Sequence, residues 1–88
     1  MVIEVGDYYF YPQVVTVTVG TAVIWNPVGY LVHTIVPVKP PSRWRGGVTA
    51  GVGTRVYQFI FNRPGTYKYT CDYHPSAMDG RIIVVDDS

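Results

Sequence analysis

Short stretches in which apolar and polar residues alternate recur along this chain. Residues 14–19 carry valine at 15, 17 and 19 and threonine at 16 and 18, a period of two that predicts a strand with one buried face. Residues 54–61 repeat this pattern, with Tyr57, Phe59 and Phe61 on one face. No apolar stripe of helical period persists. The pattern therefore predicts strands and no helix.

Glycine and proline residues separate these runs at nearly regular intervals. Strand-like runs occupy residues 2–5, 8–11, 14–19, 21–25, 31–36, 54–61, 67–71 and 80–85. Turn-forming residues occupy 26–29 and 62–65, and residues 37–53 predict a long irregular loop. Seven or eight short strands joined in this way are typical of an antiparallel β-sandwich or barrel with Greek-key connections. We therefore predict an all-β fold in which residues 1–88 form a single domain.

Composition and charge exclude several functional classes. Seven Lys and Arg stand against six Asp and Glu, a net charge of +1, which argues against general electrostatic binding to nucleic acid. No run of about 18 apolar residues is present that could form a transmembrane helix. The one basic patch consists of Lys39, Arg43 and Arg45 around Trp44, and it is either a solvated loop or a surface that docks a partner.

Strand parity places two chemically reactive side chains on apolar faces. Tyr67, Tyr69 and Cys71 share one face of a predicted strand, so the thiol points into the interior. His33 falls on the apolar face of residues 31–36, a costly position for an imidazole that has no partner. The single cysteine excludes an internal disulfide, so its thiol is either buried and inert or held by a metal.

Three soft donors, Cys71, His74 and Met78, lie within eight residues, between two predicted strands. Taken singly, His33, Cys71 and Met78 are each better explained as core residues. Taken together they favour copper, because a blue-copper site needs two imidazoles, one thiolate and a weak axial thioether. The chain has two histidines, one cysteine and one internal methionine. We therefore predict one copper ion bound by His33, Cys71, His74 and Met78.

The chain resembles the cupredoxins of the plastocyanin, amicyanin and pseudoazurin kind over nearly its whole length. The segments that carry the resemblance are residues 10–12, 17–20, 23–25, 33–34, 64–67 and 69–80, of which the Cys-to-Met segment is the specific one. The resemblance implies a one-electron carrier that cycles between Cu(II) and Cu(I). It also implies His33, Cys71 and His74 as equatorial ligands and Met78 as the long axial ligand. Thr34 would tie the ligand loop to its neighbour by a hydrogen bond.

One departure from the family pattern concerns the ligand loop. Three residues separate His74 from Met78, one more than in the amicyanin-type loop and one fewer than in the usual plastocyanin-type loop. Loop length changes how the axial sulfur approaches the metal. The colour and the reduction potential therefore do not follow from the ligand set alone.

The same resemblance implies how redox partners reach the metal. The edge of His74 would reach the surface within an apolar patch that includes Pro75, Ala77 and either Pro12 or Val28, where redox proteins would dock weakly. We expect a monomer that works in the periplasm or another extracytoplasmic compartment. The sequence shows no charged-then-apolar leader, so any export signal or membrane anchor would lie outside it.

Two other functions stay open on the residues alone. The copper could act catalytically on a small molecule such as nitric oxide, but catalysis requires an open coordination position, which an axial Met78 would fill. The chain could instead be a copper carrier or a metal-free adhesive sandwich. Carriers favour exposed sulfur ligands, whereas Cys71 points inward by strand parity. We therefore expect an electron carrier and not an enzyme.

Overall fold

The computed structural model describes residues 1–30, 33–38, 47–49, 56–71 and 78–86, which form strands and turns. Within this part of the chain no helix could cross a membrane. The predicted basic patch around Trp44 and the predicted ligand His74 lie outside the described residues. The strands are β1 (Val2–Val5), β2 (Phe10–Tyr11), β3 (Val14–Thr18), β4 (Ala22–Pro27), β5 (His33–Pro37), β6 (Gly47–Thr49), β7 (Tyr57–Ile60), β8 (Gly65–Thr70) and β9 (Asp79–Val85).

The strands form two sheets, and the predicted all-β fold is confirmed. One sheet has the order β2-β1-β4-β7 and the other has the order β3-β9-β8-β5-β6. Nine strands in the described residues replace the predicted seven or eight. One reason is that β6 forms within the predicted loop and pairs with β5 at the edge of its sheet. An edge strand pairs on one side only, so a short glycine-containing segment is tolerated there.

Two strand pairs are parallel, and for them the prediction of an antiparallel sandwich is wrong. Strand β1 runs parallel to β4, and β3 runs parallel to β9. Only strands that a tight hairpin joins must be antiparallel, whereas strands distant in sequence can pair in either direction. Both parallel pairs join strands that other strands separate in the sequence. The structure therefore has two mixed sheets.

Buried and exposed residues alternate along the strands, and in β3 they follow the predicted faces. In β3, Val15 and Val17 are buried and their neighbours are exposed. In β9, Ile82 and Val84 are buried, whereas Arg81 and Val85 are exposed. This burial removes β-branched side chains from water, which stabilises a fold by about 1.5–3 kcal/mol for each fully buried Val or Ile side chain. The period of two in the sequence therefore identifies the core side of β3.

Aromatic rings connect the two sheets through the core. The ring of Trp25, from β4, meets the ring of Tyr69, from β8, edge-on at 5.4 Å and 90°. The ring of Phe10 also meets that of Tyr69 edge-on, at 4.8 Å and 69°. Tyr57 and Phe61 also pack near Trp25, at 5.5 and 6.5 Å. Edge-to-face pairs add about 0.5–1.5 kcal/mol each beyond their buried area, so this cluster fixes how β8 lies in the sandwich.

The pairing of β8 with β9 brings Cys71 next to Met78. The antiparallel register runs from Gly65 opposite Val84 to Thr70 opposite Asp79. One step further along, the backbone N–H of Cys71 donates a hydrogen bond to the carbonyl of Met78, at 3.2 Å. The two ends of the predicted ligand segment are therefore joined by the sheet itself.

Candidate metal centre

His33 is placed at the start of β5 with its imidazole in the interior. Strand β5 pairs with β8, with Val36 opposite Thr70. Because this pairing is antiparallel, the start of β5 lies beyond the end of β8, where Cys71 follows. The His33 side chain is 0% exposed. The predicted position of this histidine on an apolar face is therefore confirmed.

The imidazole of His33 and the thiol of Cys71 face each other in the core. The Nδ1 atom of His33 lies 3.6 Å from the Sγ atom of Cys71, although the two residues are 38 positions apart in the sequence. The Cys71 side chain is 0% exposed, and the cysteine is not in a disulfide. Sheet pairing thus brings together two side chains that prefer soft and borderline metal ions.

Met78 is the third predicted ligand that the structure describes. It is 0% exposed and directly precedes β9. Its carbonyl accepts the hydrogen bond from the Cys71 backbone, so the two residues are neighbours across the ladder. A buried methionine next to the cysteine across the ladder is what a site with a weak axial thioether requires.

The spacing of the two closest donors fits a bound metal ion. Bonds of about 2.0 Å to nitrogen and about 2.3 Å to sulfur would separate these atoms by about 3.5 Å at a tetrahedral angle and by about 3.7 Å at a trigonal angle. The observed distance from His33 Nδ1 to Cys71 Sγ is 3.6 Å. The donor set of thiolate, imidazole and thioether suits copper better than it suits an oxygen-seeking cation. These residues therefore fit a copper ion.

Two threonines contact the cysteine, Thr34 from the neighbouring strand β5 and Thr70 from the preceding position in β8. The Thr34 hydroxyl lies 3.9 Å from Cys71 Sγ, positioned to donate a long hydrogen bond to the sulfur. The Thr70 hydroxyl donates to the Cys71 carbonyl at 3.2 Å. Thr34 therefore connects β5 to the cysteine, in line with its expected tethering role.

The core next to Cys71 disfavours ionisation of the Tyr69 phenol. Burial raises the pKa of the Tyr69 phenol above its ordinary value of 10.0, because an apolar environment disfavours the ionised form. Tyr69 lies two residues before Cys71 and is fully buried. This side of the site is therefore fully buried.

The described residues supply only part of the predicted ligand set. Residues 72–77, which include His74, lie outside them. Among the described side chains, no group of three or more His, Cys, Asp and Glu residues surrounds a common point. Methionine is not counted in such groups. His33, Cys71 and Met78 are thus brought together, and the part of His74 stays a prediction.

Asp7 lies near the site, although no pattern in the sequence points to it. Asp7 follows β1, and its Oδ1 atom lies 3.7 Å from the Nε2 atom of His33. In the sequence, Gly6 and Asp7 predict only a bend. No local pattern could have shown the contact, because 26 positions separate Asp7 from His33.

A two-sheet β-sandwich with a buried thiol, imidazole and thioether at one end is the architecture of a small copper protein. The family model of copper-binding proteins of the plastocyanin/azurin family matches residues 1–85. Plastocyanin from Dryopteris crassirhizoma is 32% identical over 94 aligned positions, covering 92% of each chain. Amicyanin-alpha from Methylorubrum extorquens is 30% identical, covering 93% of this chain and 69% of its own.

The fold is also that of solved amicyanins. The structure of an amicyanin variant in the reduced state superposes with a TM-score of 0.85 at 24% identity, covering 97% of this chain and 81% of the other. The chain belongs to the plastocyanin/azurin family of copper-binding proteins. It is thus a cupredoxin, and its cofactor is copper. The family places it among copper-binding electron carriers in general.

Proposed function

We propose that this protein is a mononuclear one-electron carrier that holds one copper ion with His33, Cys71, His74 and Met78. The observation that carries the proposal is the 3.6 Å approach of His33 Nδ1 to Cys71 Sγ, between two fully buried side chains. When bound, copper supplies a one-electron couple between Cu(II) and Cu(I). No substrate bond is made or broken.

The protein supplies donor side chains that are fully buried and fixed in position by the sheets. His33 is fixed by a paired strand, and Cys71 and Met78 are joined through the backbone at the ends of β8 and β9. Because these side chains are packed at interior density, they cannot rearrange freely when the charge of the site changes. A donor set of this kind keeps similar positions in both oxidation states, which favours fast electron transfer.

Electrons would enter and leave at the edge of His74. The proposed docking surface consists of Pro75, Ala77 and a turn residue, which is either Val28, 37% exposed, or the half-buried Pro12. A small apolar interface with redox proteins would allow fast release. We further propose that the protein is a monomer and works in the periplasm or another extracytoplasmic compartment, as the kinship to an amicyanin favours.

The visible and EPR spectra of the copper-loaded protein test this proposal. We expect an intense thiolate-to-copper absorption and a reversible one-electron couple in voltammetry. The variant Cys71→Ser should lose the absorption and keep the β-sheet circular dichroism, whereas Thr66→Ser, at an exposed position of β8, should keep both. Copper-loaded wild-type protein without the absorption would refute the proposal.

The same spectrum tests the catalytic alternative. In the proposed site Met78 fills the axial position, so added azide should leave the absorption unchanged. A spectral change at low azide concentration would indicate an open coordination position and would favour redox chemistry on a small molecule.

A further inference from the structure

The two ring nitrogens of His33 face different partners. Nδ1 faces the sulfur of Cys71 at 3.6 Å, and Nε2 faces Oδ1 of Asp7 at 3.7 Å. His33 is 0% exposed, whereas the Asp7 side chain is 31% exposed. The imidazole therefore lies between the interior donor set on one side and a carboxylate near the surface on the other.

The carboxylate of Asp7 is held in this position by the turn at residues 28–30. Its Oδ1 atom accepts a hydrogen bond from the backbone N–H of Tyr30 at 2.9 Å. The Val28 N–H donates to the carbonyl of Val5 at 2.8 Å, which joins the turn to the end of β1. A Cβ atom at Gly29 would overlap the Asp7 carboxylate. The absence of a side chain at this residue therefore allows the carboxylate to pack against the turn.

Metal binding at Nδ1 determines the chemistry at Nε2. A histidine that binds a metal through one nitrogen is neutral and carries its proton on the other, and that N–H is usually oriented by an acceptor. The Asp7 oxygen is an acceptor that faces this nitrogen. Their 3.7 Å separation exceeds the upper end of ordinary N–H···O distances by about 0.5 Å. At this range the attraction between the N–H dipole and the carboxylate still favours the Nε2–H form.

We propose that Asp7 is a positioning residue for the copper ligand His33. It keeps the proton on Nε2 and Nδ1 directed at the metal, and its negative charge favours Cu(II) over Cu(I). The reduction potential of the site is thereby lowered. This inference rests on the proposed copper site and adds to it a residue from outside the ligand set.

The variant Asp7→Asn separates the charge from the shape of this side chain. Its amide oxygen can still accept the hydrogen bond from Tyr30 N–H, so the turn is retained. Partners of metal-bound histidines typically change metal affinity 10–100-fold when they are replaced. We expect Asp7→Asn to weaken Cu(II) binding relative to Cu(I) about tenfold, which raises the reduction potential by about 59 mV for a one-electron couple.

Glu4→Gln is the matched control. Glu4 lies on β1, accepts a hydrogen bond from the Tyr9 hydroxyl at 2.7 Å, and carries the same charge. Its replacement should shift the potential by less than a third of the Asp7→Asn shift. Equal shifts in the two variants, with a normal wild-type spectrum, would overturn the role of Asp7 and leave the proposed function intact. A wild-type protein that shows no thiolate-to-copper absorption would overturn both.

A second measurement needs no variant. Nitrogen-15 NMR of the diamagnetic Cu(I) protein locates the imidazole proton of His33. We expect it on Nε2, with slow exchange with solvent, and faster exchange in Asp7→Asn than in Glu4→Gln. A proton on Nδ1, or an Nε2 proton that exchanges as fast in wild type as in Asp7→Asn, would contradict the inference.

Discussion

Replacing Gly80 by alanine should destabilise the protein through the ring of Tyr69. Gly80 lies in β9 directly opposite Tyr69 in β8. A Cβ atom at Gly80 would overlap the phenol end of that ring and lie 2.8 Å from its Cε1 atom. The ring cannot move away easily, because it is fully buried and packs against Phe10 and Trp25. Tyr69 therefore has to leave its preferred position or push β9 outward.

The expected cost follows from two opposing effects. Overpacking a well-packed core typically costs about 1–3 kcal/mol. Replacing glycine by alanine also reduces the entropy of the unfolded chain, which stabilises by about 0.4–1 kcal/mol where the backbone is compatible. The net loss for Gly80→Ala should be about 1–2 kcal/mol, which lowers Tm by about 5–15 °C in a domain of this size.

Urea unfolding of a double-mutant cycle measures this coupling. In a Tyr69→Leu background the obstructing ring is absent, so Gly80→Ala should be close to neutral or stabilising, and the coupling energy should reach about 1–3 kcal/mol. Gly20→Ala is the control, because Gly20 has φ +91 and nothing near its Cβ position. Its backbone strain should cost the same in both backgrounds. An equal cost of Gly80→Ala with and without the Tyr69 ring would refute a steric origin of the destabilisation.

Two further predictions concern metal loading and alkaline pH. Copper should raise Tm because the folded chain binds it better than the unfolded chain. Free copper at 100 times its Kd adds about 2.7 kcal/mol to the free energy of unfolding. Calorimetry that finds equal Tm values for the apo and loaded forms would contradict this. Burial raises the pKa of Tyr69 above 10.0, so above about pH 10 the phenol ionises only in the unfolded chain. Stability should therefore fall by up to about 1.4 kcal/mol per pH unit there. Urea titrations at pH 9 and 11 should show a smaller fall in Tyr69→Phe, and an equal fall would rule out Tyr69 as its source.

Much of the strand structure could be predicted from local sequence. The alternation in residues 14–19 identifies the buried valines of β3, and the alternation before Cys71 places its thiol in the core. Both inferences need only the period of two that backbone geometry imposes on any strand. The choice of copper likewise depends on the types of donor present, which are a property of composition.

The short strand β6 shows where local patterns are insufficient. Residues 47–49 contain a glycine and lie in a segment rich in proline and glycine, which predicts a loop. They form a strand because β5 presents a free edge to them. A pairing partner distant in sequence thus overrides weak local preference, as is common for β-structure.

The sequence by itself determined the all-β class, the buried faces of β3 and β8 and the soft character of the donors. Only the tertiary structure decided that β1 pairs with β4 and β3 with β9 in parallel. It also decided that His33 meets Cys71 across 38 positions and that Asp7 lies behind the same imidazole. The physical reason is that side-chain alternation is set within each strand, whereas the neighbours of a strand are set by core packing and chain connection over the whole domain.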